Sequence, residues 1–422
     1  HKHQGNNRGR SGLYRKRRGY RGSRSLPSRK GISMKIKLRG KIVTPSRIIE
    51  NGDVCAENGI ITYVGAHRND DALYETADYG DRYISPGFID MHLHGGGGAD
   101  FMDGTKQAFE TISETHLKHG TTTMLATTLT CPDEELFNIF DVFGKIASEG
   151  KNTNLYGLHL EGPYFAVSQK GAQDEKYIVA PKKEHYEKIL EKGGKYIKRW
   201  SIAPEREGAM ELGRKLSAIG ILPSMGHSEA EYETALEAYD NGYTHLTHFY
   251  SGMSTITRRS GFRHLGLIES GYIIDGLTVE IIADGCHLPP ELLRYIYRAK
   301  GPYRTALVTD SLRAAGTDAK TMFIGSKENG YEVIIEDGVA KLPDRSAFAG
   351  SIATADRLVR NMLKYADCGI CDAVRMMTAT PAAIMKTNDR GTLTEGKIAD
   401  ICVFDDNVNI TDVYLKGQKV CL

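Results

Sequence analysis

Apolar and polar positions alternate along the chain in two ways, and each predicts a different kind of element. Between about residues 86 and 389, short apolar runs alternate with longer segments in which apolar residues recur every three or four positions. The short runs are typical of buried strands and the longer segments of amphipathic helices. The predicted strands are 85–91, 121–127, 156–160, 196–202, 221–224, 243–247, 278–282 and 306–308. The predicted helices are 107–118, 132–149, 182–192, 210–218, 229–238, 290–298, 352–365 and 370–378.

This alternation predicts the fold class. Strands that alternate with helices form parallel sheets with right-handed crossovers. Eight strands are the number for a closed (β/α)8 TIM-like barrel, in which the chemistry lies at the carboxyl ends of the strands. A hairpin-like insertion at 323–342 interrupts the pattern before the last helices.

The two chain ends have a different pattern, with short alternating strands and tight turns. Asn51-Gly52 and Asn58-Gly59 suit hairpins because both residue types tolerate positive φ. Residues 396–404 and 410–420 repeat the same texture. We expect residues 34–85 and 390–422 to form a small β-sandwich domain, and residues 86–389 to form the catalytic barrel domain.

Composition excludes several protein classes. Hydrophobic residues make up 40% and charged residues 26%, as in soluble globular proteins. Apolar runs stay short of the roughly 18–20 residues that a membrane span requires, so we expect no membrane partner. The seven cysteines are scattered and odd in number, which argues against a disulfide framework and favours a reducing, cytoplasmic location.

Residues 1–33 form a basic leader that differs from the rest of the chain. They contain eleven Lys or Arg and no Asp or Glu, and such a segment cannot fold alone. It is either a nucleic-acid tail or, as we favour, a disordered extension that precedes a natural start at Met34. Because the whole chain has a net charge of +2 and the leader contributes +11, residues 34–422 carry −9. The folded body is therefore acidic, and the overall charge gives no indication of a nucleic-acid partner, which we do not expect.

Candidate metal ligands lie where the predicted strands end. Glu161 ends an apolar strand that Pro163 cannot extend, and a buried Glu needs a partner. His92 and His94 lie on one face of the first barrel strand. The other strands end near His227, His248 and Asp310. Barrel closure would bring all these tips to one rim.

Each of these residues also has an ordinary structural interpretation. Glu161 suits a helix cap or an Arg partner, and Asp310 suits a helix N-cap. His92 and His94 are also compatible with a Gly-rich turn. If the residues do converge, His and carboxylate ligands suit zinc or iron(II), which lowers the pKa of a bound water to around 7. A free Asp310 can then take the proton and pass it to a leaving nitrogen, which is metal-assisted amide hydrolysis.

Ordered motifs across residues 34–422 make the resemblance specific. The chain resembles the N-acetylglucosamine-6-phosphate deacetylases of the amidohydrolase superfamily. The motifs are SPGFID at 85–90, LHLEGP at 158–163, APE at 203–205, GHS at 226–228, THFY at 247–250, IADGCH at 282–287, LVTD at 307–310 and AGS at 349–351.

The resemblance implies roles for the strand-end residues. Glu161, His227 and His248 would hold the main metal, and Asp310 would be the proton shuttle. Some members keep a His-x-His pair and bind a second metal, so His92 and His94 imply one or two Zn or Fe(II) ions per subunit. Family members are commonly homodimers, and we expect the same here.

The positions that bind substrate in the family are only partly kept in this chain. Gln173 stands where many members carry a His, and Ser251-Gly252-Met253 replaces Asn-Ala-Met. Of Arg258, Arg259 and Arg263, spacing from His248 favours Arg259 as the phosphate clamp, because Arg donates two hydrogen bonds at once. The implied substrate-binding residues are Ala172, Gln173, Ser251, Gly252, Arg259, His287, Ala349, Gly350 and Ser351.

The function expected from this resemblance is hydrolysis of N-acetyl-D-glucosamine 6-phosphate to glucosamine 6-phosphate and acetate, in amino-sugar catabolism. Two alternatives within the superfamily stay open. One is deacetylation of N-acetylgalactosamine 6-phosphate, and the other is cyclic-amide hydrolysis or deamination. A nucleic-acid-binding role for the basic leader is an alternative from another class.

Overall fold

The computed structural model describes residues 34–151, 153–326 and 330–421. The basic leader predicted at 1–33 lies outside the described residues. From Met34 onward the chain forms one compact unit. None of its described helices is long and apolar enough to cross a membrane.

Eight parallel strands form the central sheet, and their order in the sheet follows their order in the chain. This arrangement confirms the predicted (β/α)8 architecture. The strands are Phe88–Leu93, Thr121–Thr128, Leu155–Glu161, Ile197–Ile202, Leu222–Met225, His245–Leu246, Thr278–Ile281 and Thr305–Leu307.

The first and eighth strands meet through residues at their carboxyl ends. The main-chain N–H of Asp310 donates to His92 O at 2.9 Å, and that of His94 donates to Ser311 O at 2.8 Å. These bonds close the barrel at the rim where the candidate site lies. Because Asp310 and Ser311 follow the strand Thr305–Leu307, closure depends on an extension of that strand.

Helices surround the barrel and bury one apolar face each. In the helix Asp133–Ser148, for example, Ile139, Phe143 and Ile146 point into the core, and acidic residues occupy its first turn. The predicted helix 370–378 is observed as the shorter helix Ile370–Met376, and a second short helix, Ala379–Ile384, follows it. The helices are Lys106–Lys118, Asp133–Ser148, Lys183–Gly193, Ala209–Ala218, Tyr232–Asp240, Leu267–Ile273, Pro290–Lys300, Ala355–Tyr365, Ile370–Met376 and Ala379–Ile384, with short 3-10 turns at Asp71–Leu73, Phe101–Asp103, Val167–Gln169 and Glu175–Tyr177.

Both chain ends contribute to a second sheet, as expected, but it is one continuous sheet rather than two separate ones. The sheet folds back on itself, because the N–H of Ile61 donates to Lys397 O and that of Ala399 donates to Gly59 O, each at 2.8 Å. Its strands, in sheet order, are Gln418–Lys419, Ile410–Leu415, Ile401–Phe404, Glu75–Pro86, Lys35–Val43, Ile48–Glu57 and Ile60–Ala66.

The insertion after the eighth barrel strand is larger than the predicted hairpin. It is a four-stranded antiparallel sheet, which we call the flap, with strands Thr321–Ile324, Tyr331–Glu336, Val339–Lys341 and Phe348–Ser351. Two smaller hairpins pair Gly95–Gly96 with Ala99–Asp100 and Thr257–Arg259 with Phe262–His264.

Candidate active site

Three of the candidate residues follow barrel strands at points where the backbone turns sharply. His227, His248 and Asp310 have φ values of 48°, 28° and 46°. Non-glycine residues rarely adopt this left-handed conformation, and such outliers cluster at functional sites. The turns direct all three side chains to the same rim of the barrel, which Glu161 reaches from the end of its own strand.

The first cluster consists of Glu161, His227 and His248. Glu161 Oε1 lies 3.1 Å from His227 Nε2 and 3.0 Å from His248 Nε2, and the two imidazole nitrogens are 3.0 Å apart. All three side chains are buried. Their ligand atoms therefore converge on one point, as the sequence predicted.

The second cluster consists of His92, His94 and Asp310. Asp310 Oδ1 lies 3.3 Å from His92 Nε2 and 3.2 Å from His94 Nε2. Glu161 joins the two clusters, because its Oε1 is 3.4 Å from His92 Nε2 and its Oε2 is 3.3 Å from His94 Nε2. The structure thus brings six predicted residues together at one place.

The hydrogen bonds around the clusters leave imidazole lone pairs that face carboxylates. His227 Nδ1 is 2.7 Å from Gln169 O, a carbonyl that can only accept, so Nδ1 carries the proton. In a neutral His227 the bare Nε2 then points at Glu161. His92 repeats this arrangement, with Nδ1 on Glu280 and a buried Nε2 that has no hydrogen-bond partner among the described residues. A divalent cation between these atoms would accept electron pairs from both the imidazole nitrogens and the carboxylate oxygens.

The electrostatics also favour a cation. Burial lowers the pKa of His94, but the carboxylates of Asp310 and Glu161 outweigh burial and raise the pKa to about 10. Burial raises the pKa of Glu161, yet the imidazoles of His92, His227 and His248 hold it well below its ordinary value. The clusters thus attract positive charge, and mixed imidazole and carboxylate ligands suit zinc or iron(II).

A cavity of about 260 Å³ opens onto both clusters. Its apolar wall comes from Leu129, Leu312 and the flap residues Ile324 and Phe348. The other lining residues include most of those predicted to bind substrate. These are Ala172, Gln173, Ser251, Gly252, His287, Ala349 and Gly350.

Comparisons with known proteins agree with this geometry. The Amidohydrolase family model matches residues 83–420. A curated N-acetylglucosamine-6-phosphate deacetylase from Lysinibacillus sphaericus is 32% identical over 382 residues, which is 89% of this chain and 95% of the relative. The relative of the same name from Homo sapiens is 30% identical and covers 82% of this chain and 85% of its own length.

The chain belongs to the N-acetylglucosamine-6-phosphate deacetylase family of amidohydrolases. Solved structures support the assignment. A point mutant of the deacetylase from Mycobacterium smegmatis, in complex with N-acetyl-D-glucosamine-6-phosphate, superposes with a TM-score of 0.84 at 28% identity. The superposition covers 92% of this chain and 99% of that one. The Thermotoga maritima deacetylase gives a TM-score of 0.81 at 30% identity over 92% of this chain and 99% of its own.

In this deacetylase-family chain, Gln173 binds Glu161, the carboxylate that joins the two clusters. Its Nε2 donates to Glu161 Oε2 at 2.7 Å, and its Oε1 accepts from the N–H of Thr130 at 2.8 Å. The side chain is therefore held at both ends. The sequence predicted Gln173 as a substrate contact, and the structure adds this positioning of Glu161.

His287 has its orientation fixed within the cavity. Its Nδ1 lies 2.8 Å from Asp284 Oδ2, so that Nε2 is the nitrogen left for a ligand. Its ring packs against the flap residue Phe348, with centroids 5.0 Å apart. Ser351, in contrast, is buried and does not line the cavity. Its N–H donates to Asp310 O at 3.0 Å, which holds the end of the flap beside the site.

The three candidate arginines are not brought into this cavity. Arg258, Arg259 and Arg263 lie exposed on the small hairpin after His248, where Arg259 Nη2 is 2.7 Å from Glu231 Oε2 and 2.6 Å from His264 Nδ1. Among the described residues, those that line the cavity include no Lys or Arg. The choice of Arg259 as phosphate clamp stays a prediction.

Sequence reasoning missed a polar layer beneath the two clusters. Glu280 and Arg199 are fully buried inside the barrel, where they form an ion pair and contact the strands that bear the ligands. A charged residue within an otherwise apolar strand was the available signal, because burial of a charge is costly unless it is paired. Asp90 gives the same signal, and burial raises its pKa to about 7.

Proposed function

We propose that this enzyme hydrolyses N-acetyl-D-glucosamine 6-phosphate to D-glucosamine 6-phosphate and acetate, as a step of amino-sugar catabolism. One observation carries the proposal. Glu161, His227, His248 and Asp310 converge at one barrel rim, in a chain whose curated relatives at 32% identity are deacetylases of this name.

We propose Glu161, His227 and His248 as ligands of the main metal ion and His92 and His94, with Asp310 beside them, as the place of a second. One or two Zn or Fe(II) ions per subunit fit these ligands. A bound divalent ion would lower the pKa of a water molecule and polarise the acetyl carbonyl. Metal analysis of protein purified without added metal will give the identity and number of the ions.

We assign the proton transfer to Asp310. Its Oδ1 faces His92 and His94, which leaves Oδ2 to accept the proton of the attacking water and to return it to the departing amine. The residue lines the cavity and lies beside both clusters, so it can reach water and leaving group from one position.

The cavity walls are proposed to orient the sugar. Because His287 Nδ1 donates to Asp284, its Nε2 can accept from a sugar hydroxyl. Ala349 and Gly350 would contact the sugar from the flap, with Ser351 buried behind them. Ala172, Gln173, Ser251 and Gly252 complete the opposite wall. The apolar side chains of Leu312 and Ile324 suit the methyl group of the acetamide.

The proposed Arg259 contact to phosphate is linked to a homodimer. Arg259 is exposed on a hairpin and lies outside the cavity of its own chain, so a second copy of the chain can supply it. An equimolar mixture of Arg259→Gln and Asp310→Asn subunits should then recover part of the activity that each variant alone lacks. No recovery after subunit exchange would remove the proposed link.

The decisive experiment is Asp310→Asn. Acetate release from N-acetylglucosamine 6-phosphate should fall by about 10²–10⁴-fold in kcat, while metal content stays that of the wild type. Asp318→Asn, a nearby exposed aspartate, is the matched control and should keep full activity. Near-normal turnover by Asp310→Asn would contradict the role.

A substrate panel separates the alternatives. N-acetylglucosamine 6-phosphate should be the preferred substrate over N-acetylgalactosamine 6-phosphate, nucleobases and hydantoins. We also propose a cytosolic location, since the seven cysteines, all within the described residues, are free thiols. The division into a chain-end domain, 34–85 with 390–422, and a catalytic domain, 86–389, is part of the same proposal.

A further inference from the structure

Glu280 is a buried carboxylate that touches neither the cavity nor solvent. It lies in the seventh barrel strand, Thr278–Ile281, and its side chain is fully buried. It is absent from the residues that line the cavity, so it does not meet substrate. A buried charge at this depth needs partners, and the partners are informative.

One oxygen of Glu280 contacts both metal-ligand clusters. Oε1 accepts from His92 Nδ1 at 2.8 Å and from the main-chain N–H of His248 at 3.0 Å. Because a carboxylate only accepts, His92 must donate from Nδ1. In a neutral His92 this bond leaves Nε2 unprotonated and directed toward Glu161 and Asp310.

Arg199 fixes the position of this carboxylate. It donates to Glu280 from Nη1 to Oε2 at 2.5 Å and from Nη2 to Oε1 at 2.9 Å. The guanidinium is itself held by Ser224 Oγ at 3.1 Å and Thr247 Oγ1 at 2.9 Å. Both charges therefore have a single, fully bonded arrangement beneath the site.

We propose that Glu280 is a positioning residue that fixes the tautomer and ring orientation of His92 for metal binding, with Arg199 as its counter-charge. A metal-bound histidine commonly donates its other ring nitrogen to a carboxylate, and this outer partner raises metal affinity. The inference rests on the proposed metal-dependent function. It adds two residues that lie outside the cavity and the ligand set.

Fold stability alone does not account for the pair. A buried ion pair recovers little more than its desolvation cost, and apolar residues of similar volume are often as stable. What apolar residues cannot supply is an acceptor for His92 Nδ1. The geometry thus favours a role in ligand orientation over one in stability.

The test measures Co²⁺ binding to the metal-free protein, without substrate, by visible absorbance and competition with a chelator. Glu280→Gln removes the charge, while Glu280→Asp keeps the charge beside Arg199 but shortens its reach toward His92. The variant His92→Ala identifies the Co²⁺ site that depends on His92. Each Glu280 substitution should lower the Co²⁺ affinity of that site by about 10–100-fold. Asp356→Asn, which removes a buried carboxylate paired with Arg360, is the matched control and should bind as the wild type does.

A double-variant cycle distinguishes orientation from a general structural effect. If Glu280 acts through His92, the variant His92→Ala/Glu280→Gln should bind Co²⁺ like His92→Ala alone. Additive losses, or Co²⁺ binding by both Glu280 variants equal to that of Asp356→Asn, would overturn the proposal. If Glu280→Gln does not fold, Glu280→Asp decides the question. Because the Co²⁺ measurement uses no substrate, it tests the role of Glu280 even if the proposed deacetylation proves wrong.

Discussion

The backbone beneath the two imidazoles proposed to bind metal is a residue-scale feature with an energetic cost. His227 and His248 are left-handed, and such a conformation costs a non-glycine residue about 1–3 kcal/mol. The neighbouring Gly252 is also left-handed, and a Cβ there would lie 3.0 Å from His227 Nδ1. Glycine therefore lets the loop pass close to the imidazole without strain.

At this scale we predict that Gln173→Ala weakens metal retention. The substitution removes the amide that orients Glu161, so Co²⁺ affinity should fall by about 10–100-fold in a chelator competition. Gln169→Ala is the control, because Gln169 holds His227 through its main-chain carbonyl, which the substitution keeps. Equal Co²⁺ affinities in the two variants would show that Gln173 does not position Glu161.

The strand-end residues were predictable and the layer beneath them was not. Glu161, His227 and Asp310 follow apolar runs, so their place at the rim comes from strand pattern and barrel closure. Glu280 and Arg199 lie within strands, and their pairing joins the fourth and seventh strands of the barrel. A linear pattern contains no information about which buried charge meets which across the interior.

Among the elements, the helix Pro290–Lys300 ends on a buried lysine. Lys300 Nζ donates to the main-chain oxygen of Gly271 at 2.7 Å, near the end of the helix Leu267–Ile273. Carbonyls in a last helical turn lack partners within the helix, and a lysine can supply one. Burial lowers the pKa of Lys300 to about 8, so its charged form is stabilised less in the folded chain than in water.

This lysine predicts a pH-dependent stability. Its folded pKa lies below the unfolded value of 10.5, so between pH 8 and 10.5 the unfolded chain binds more protons and stability rises with pH. Relative to Lys300→Met, the wild type should gain about 1–3 kcal/mol of unfolding free energy across this range in urea titrations. Lys364→Met, in the exposed last turn of another helix, should show no such trend. A flat difference for Lys300 would contradict the assignment.

Sequence pattern located the longer elements well and short or exposed ones poorly. The strand Glu75–Pro86 was not foreseen beyond its last residues because most of its side chains are polar and exposed. Only His245–Leu246 of the predicted strand 243–247 is strand, since the chain turns at His248. In both cases tertiary contacts, which a local window lacks, decide the bounds.

For the whole molecule, one short strand joins two hydrophobic cores. Ile401 and Val403 belong to the core of the chain-end sheet, whereas Cys402 and Phe404 belong to the core of the barrel. Phe404 packs against Phe88 of the first barrel strand, with ring centroids 6.2 Å apart. Because successive side chains of this strand point to opposite faces, the strand packs against both cores and attaches the sheet to the barrel.

We therefore predict that the sheet and the barrel unfold together. Phe404→Ala should lower the unfolding free energy by about 3–5 kcal/mol. Trp200, the only tryptophan of the chain, is buried in the barrel and stacks on Tyr164, so its fluorescence reports the barrel alone. Its urea midpoint should shift as much as that of far-ultraviolet circular dichroism, whereas the half-exposed Phe323→Ala should leave both unchanged. Separate midpoints would show two independent units.

The hydrogen bonds between residues 92 and 310 and between residues 94 and 311 use peptide groups alone. Residue 92 accepts through its carbonyl and residue 94 donates through its N–H, so any residue at 92 and any residue except proline at 94 could close the cylinder without an imidazole. A lineage could discard both rings, and with them the proposed second metal site, while the architecture stayed intact. At residues 92–94 the side chains would therefore decide how many metal ions bind, while the peptide groups alone close the barrel.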